Sequence, residues 1–243
     1  MQDFFLNSDI YKYINLYSLY RDDDEFLLLK LCKTAVDNNV KSISVLESQV
    51  ENVWKWLELS DVKLNGIINN FNGLLSVEKT FQKIKNIFNS GADMVEVFLP
   101  PAFFDIDIEN IPAYVDEYLL AIAEAKGIKN VKVSFESSFV KYSSDLKAIV
   151  YLLSKYQIDV IKTASGLYSS NSMLNHLNAI LEEAKSSNVQ VDFLFDLLKN
   201  DKFIIDDSIR LAQSILGDEF DNNHFCVSCN VDNFLISLGK STC

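Results

Sequence analysis

Short apolar runs alternate along this chain with longer stretches in which apolar residues recur every three or four positions. The runs at 13–16, 40–46, 63–68, 94–99, 131–136, 160–162, 189–193 and 225–228 predict β-strands. Helical spacing fills the intervals. Residues 25–38 place Leu28, Leu31, Cys32 and Ala35 on one face, and residues 76–89 open on Ser76-Val77-Glu78-Lys79, a helix-start signal. Further helices are predicted over 111–125, 144–156, 172–186 and 206–216. Strand-helix repetition means a parallel sheet, and eight units in one domain length predict an α/β fold, a (β/α)8 TIM barrel spanning 1–243 as a single domain. A doubly wound open sheet is the alternative, but no Gly-x-Gly-x-x-Gly follows the first strand.

Side-chain alternation then assigns the barrel interior. One face of the fourth strand carries Met94, Glu96 and Phe98, and one face of the fifth carries Lys132, Ser134 and Glu136. On the sixth, Lys162 shares a face with Val160 and Ala164. Three successive strands thus aim ionisable groups inward, and the C-terminal strand ends are the catalytic face of such a barrel. A buried lysine resists its charge, and a neutral amine forms Schiff bases with carbonyls. Lys162 is the candidate nucleophile, Glu96 or Glu136 the candidate proton carriers, and Lys132 a like charge that would lower the pKa of Lys162. The plainer reading of any one such lysine is a strand-end cation that reaches solvent or pairs with a carboxylate.

Composition narrows the classes. With 243 residues, 49% of them hydrophobic and 23% charged, the chain can bury a sizeable core. A net charge of −12 without a Lys/Arg cluster argues against nucleic acid as partner. No apolar stretch is long enough to span a membrane, and the N-terminus lacks signal-peptide features, so a cytoplasmic location is expected. The pair Cys226-Val227-Ser228-Cys229 has metal or redox spacing, but only Cys243 is at hand as a further ligand; reduced core cysteines are expected and no metal. Seven glycines leave few places for a phosphate-cradling loop.

These segments resemble the deoxyribose-phosphate aldolase family over nearly the whole chain. Ile161-Lys162-Thr163-Ala164-Ser165-Gly166 is similar to the family's Schiff-base strand, lysine-threonine-serine-threonine-glycine. Val131-Lys132-Val133-Ser134-Phe135-Glu136-Ser137 is similar to the strand before it. Asn89-Ser90-Gly91-Ala92-Asp93 matches the turn into the fourth strand, Asn70-Phe71-Asn72-Gly73 a shortened third-strand loop, and Ile14-Asn15-Leu16 the opening strand. The resemblance implies a cofactor-free class I aldolase on a TIM barrel. It joins acetaldehyde reversibly to glyceraldehyde 3-phosphate, so the partner would be a small aldehyde or sugar phosphate, and homo-oligomerisation is implied too. Lys162 would form the Schiff base and Glu96, in place of the family's aspartate, would move protons. Asn15, Ser44, Thr163, Gly166 and Ser228 fall at substrate-binding positions.

The departures are as informative. Asn15 replaces an aspartate and Ser44 a cysteine. Asp192, in Val191-Asp192-Phe193-Leu194-Phe195-Asp196, stands where the family has a pKa-tuning lysine, and bulky residues replace its glycines. Only Ser228 survives of the eighth-strand phosphate loop, and the C-terminal tyrosine is missing. An aspartate beside Lys162 would stabilise the ammonium, and an acid in the phosphate cradle would repel a dianion. The alternative function is a barrel with weak or no catalysis, repurposed for binding. If the seventh strand is misaligned, Lys199 or Lys202 would fill the lysine's role.

Overall fold

The computed structural model describes residues 8–17, 25–68, 75–100, 103, 111–164, 173–195 and 202–237. Eight parallel strands close into a barrel in sequence order. They are β1 (Ile14–Tyr17), β2 (Ser42–Leu46), β3 (Lys63–Ile67), β4 (Met94–Leu99), β5 (Asn130–Phe135), β6 (Val160–Lys162), β7 (Gln190–Phe195) and β8 (Phe225–Asn230). The helices are α1 (Glu25–Asp37), α2 (Val50–Leu57), α3 (Val77–Asn89), α4 (Ala113–Lys126), α5 (Ser143–Lys155), α6 (Met173–Ser187), α7 (Lys202–Leu216) and α8 (Val231–Ser237). The predicted strands and helices all appear, most with ends moved by one or two residues. Helix α7 begins at Lys202, four positions before its predicted start at Asp206.

Two helices were not foreseen. Helix α2 is short and shows only Val50, Val53 and Leu57 as its buried stripe, too few positions for a period to stand out. Helix α8 follows β8 with no intervening loop, so its apolar residues read as a continuation of the strand.

Alternation along the strands decides where the core lies. Val95, Val97, Val131, Val133, Phe135, Val191, Phe193, Phe225 and Val227 face outward and join the helices in one continuous buried cluster. β-Branched and aromatic residues suit this pleated, fully covered surface. Helix α3 is fixed at its start by Ser76, whose hydroxyl accepts from the Lys79 backbone N–H at 3.3 Å. Helix exits turn left-handed at Asn39, Gly91, Gly127, Gln157, Asn188 and Gly217, each with positive φ. Gly91 alone is both at φ 104° and crowded: a Cβ there would lie 2.5 Å from the Trp54 ring.

Because the strands tilt, a level ring of inward side chains draws on alternate strands. Following the registers around the barrel, through pairs such as Asn15↔Ser42, Asn65↔Met94, Lys132↔Val160 and Lys162↔Asp192, defines these rings. One ring is Asn15, Asn65, Lys132 and Asp192. The next, toward the C-terminal strand ends, is Ser44, Glu96, Lys162 and Ser228. Such rings are ordinarily filled by Val, Ile and Leu; here both are wholly polar.

Candidate active site

No residue in these two rings is more than 2% exposed, so every charge in them must find its partner inside the barrel. Lys162 Nζ donates to Glu96 Oε1 at 2.9 Å and to Oε2 at 3.2 Å. The ammonium also lies 5.4 Å from the centre of the Tyr17 ring, at cation–π distance. One level below, Lys132 Nζ donates to Asp192 Oδ2. Each ring therefore holds one acid and one base, and the two rings are charge-balanced.

Neutral groups complete the network. Ser228 donates to Asp192 Oδ2 at 2.8 Å, and Asn15 Nδ2 donates to Ser228 Oγ at 2.7 Å. Asn15 Oδ1 accepts from Ser42 at 2.8 Å and from Ser44 and Asn65 at 3.1 Å. A hydrogen-bonded chain thus runs from Lys132 through Asp192, Ser228 and Asn15 to β2 and β3. Burial opposes the Lys132 charge, but Asp192 and Glu96 outweigh it and hold this ammonium above its ordinary pKa. For Asp192, burial alone would push the carboxyl up. The charges of Lys132 and Lys162 and the two hydrogen bonds overcome it, and Asp192 lies below the usual carboxylate range.

The predicted site residues fall into three groups. Lys162, Glu96, Lys132, Asp192, Asn15, Ser44 and Ser228 converge in the two rings. Asp192 stands opposite Lys162 in register but hydrogen-bonds to Lys132; the carboxylate on Lys162 is that of Glu96. Glu136 is buried just past β5, where it opens the short turn Ser137–Phe139. Thr163 alternates away from Lys162, and its hydroxyl accepts from the Leu194 backbone N–H at 3.3 Å, tying β6 to β7. Gly166, the loop at 70–73, Lys199 and the C-terminal tail lie outside the described residues, as does the Lys202 side chain.

Sequence reasoning missed Asn65, Ser42 and Tyr17. The signal was available, since Asn65 shares parity with Lys63 and Ser42 with Ser44. The cysteines separate by the same rule: Cys229 joins the helix-facing cluster while Cys226 faces the interior. Among the described residues no group of three His, Cys, Asp or Glu side chains could hold a metal ion, and no helix is long and apolar enough to cross a membrane.

An eight-stranded parallel barrel with a buried lysine–carboxylate pair in its interior is the class of scaffold that the fold and site define. No protein-family profile matches the chain. Its distant sequence relatives include the deoxyribose-phosphate aldolase of Treponema denticola, 26% identical over 172 residues, which are 70% of this chain and 77% of that protein. The Clostridium perfringens deoxyribose-phosphate aldolase is 30% identical over 145 residues, 59% of this chain and 62% of that one. Among solved structures, a Toxoplasma gondii ME49 protein provisionally assigned as a deoxyribose-phosphate aldolase superposes with a TM-score of 0.81 at 12% identity. That match covers 98% of this chain and 94% of the other, and it speaks to fold alone. The sequence likenesses point, at a distance, to the deoxyribose-phosphate aldolase superfamily.

Proposed function

We propose that the protein is a class I aldolase that works through a Schiff base on Lys162, with a substrate related to deoxyribose 5-phosphate. The observation that carries this reading is the Lys162–Glu96 pair, buried in the barrel at the C-terminal end of β6 and in the middle of β4. Glu96 is placed to take the proton from Nζ, which frees the lone pair to attack an aldehyde carbon. The carbinolamine then loses water to give an iminium, and Glu96 returns or removes a proton as the enamine forms and reacts. Lys132, held charged by Asp192, is a fixed cation beneath this centre and not a competing nucleophile.

A second reading is a barrel without catalysis. Its support is the same pair viewed as structure: a lysine bonded to both oxygens of one buried carboxylate also serves simply to tie β6 to β4 across the interior. Borohydride trapping with acetaldehyde, followed by peptide mass mapping, separates the two. The aldolase reading expects a reduced adduct on Lys162 that is lost in Lys162→Ala. A folded protein that gives no adduct even at alkaline pH would favour the inert barrel.

A further inference from the structure

The far end of the barrel holds a second polar space. At the N-terminal strand ends lies a cavity of about 300 Å3, at the lower edge of the range of small-molecule sites. The ring beneath the two polar ones is Ser42, Met94, Val160 and Cys226, and it does not fill the barrel. The cavity consequently reaches up to Asn65 and to the fully buried Lys132.

Its charge runs against that of the molecule. The chain carries −12 overall, yet Lys41, Lys63 and Lys132 line this space against one carboxylate, Asp93. Lys132 is neutralised by Asp192. Lys63 faces Asp93 at 3.6 Å, a loose and exposed pair of little worth. Lys41 is half-buried and, among the described residues, pairs with no carboxylate; it donates to the Asn222 carbonyl and keeps further donors free. Gln190 and Ser42 complete the polar wall, their own donors given to the Asn222 carbonyl, to Cys226 and to Asn15. The Cys226 thiol, pushed up to about 12 by burial and then by the Asp192 charge, stays protonated there and adds no negative charge.

We propose that this N-terminal mouth binds a small organic anion, a carboxylate or phosphate on a body of a few carbons, with the anionic group on Lys41 and Lys63. The site lies at the opposite end of the barrel from the reactive mouth, so its occupancy does not depend on whether Lys162 reacts.

Calorimetric titration of the full chain at low ionic strength, once with inorganic phosphate and once with malate, tests this and tells the two anion chemistries apart. The expected result is saturable binding of one anion per chain by at least one probe. It should weaken roughly tenfold or more in Lys41→Met and stay unchanged in Lys147→Met, a surface lysine paired with Glu182. Lysine acetylation mapped on the wild-type protein gives a second reading that needs no variant: the bound anion should protect Lys41 and Lys63 and leave Lys147 unprotected. No saturable binding of either probe up to on the order of 50 mM would overturn the proposal. So would equal affinity in the two variants, or protection that spares Lys41 and Lys63.

Discussion

At the scale of single residues, the notable economy is that each buried lysine has its own acid. Lys132 and Asp192 are both essentially inaccessible to solvent, so removing either strands a charge where water cannot reach it. Lys132→Met and Asp192→Leu are each expected to cost about 3–5 kcal/mol in urea unfolding. Lys132→Met combined with Asp192→Leu should recover much of that loss, because no charge is then left unpaired. An additive double variant would show that the two groups are not coupled. Much of this constellation was legible from the chain, since inward parity on the fourth to sixth strands selected Glu96, Lys132 and Lys162, and the family resemblance singled out Asp192. Partner choice was not. Placing Asp192 on Lys162 followed the resemblance, in which the residue at that position tunes the Schiff-base lysine, whereas here side chains meet across alternate strands and Asp192 bonds to Lys132.

At the scale of elements, the turn from α3 to β4 is a close fit that also needs an unusual backbone. Gly91 needs its positive φ and also gives the Trp54 ring of α2 room to lie against the backbone. Gly91→Ala meets both obstacles, and a loss of roughly 2 kcal/mol is expected in a denaturant melt. Gly127 and Gly217 share the positive φ but have open space around them, so alanine there should cost less. Residues 89–93 could be picked out as a turn from sequence, but the reason for the glycine could not. It depends on Trp54 in α2, an element whose short buried stripe hid it.

For the molecule as a whole, the strand–helix rhythm was enough to read the barrel, because outward strand faces and helix stripes both advertise burial. The polar interior was harder to read, since it breaks the rule that cores are apolar. That interior also sets the pH limits of the fold. Asp192 has a folded pKa below its ordinary 3.8, so its contribution is present above that value and drains away as pH falls below it. Lys132 has a folded pKa above its ordinary 10.5, so its contribution is complete below that value and declines only as pH rises past it. Urea melts from pH 2 to 11 should show this pair contributing a plateau between those limits, and a Lys132→Met/Asp192→Leu variant should lose the acid-side slope. The ion pairs have a further consequence, in time. Lys132 and Asp192 are 60 residues apart in the chain, and Glu96 and Lys162 are 66 apart. Neither pair can be desolvated until next-but-one strands have assembled and the barrel has closed around them, so both belong to the last act of folding. Asp192→Asn should therefore accelerate unfolding in stopped-flow experiments while leaving the refolding rate within about twofold. The buried charges would then act as a latch on the closed barrel: absent while the chain assembles, and the first thing to be broken when it opens.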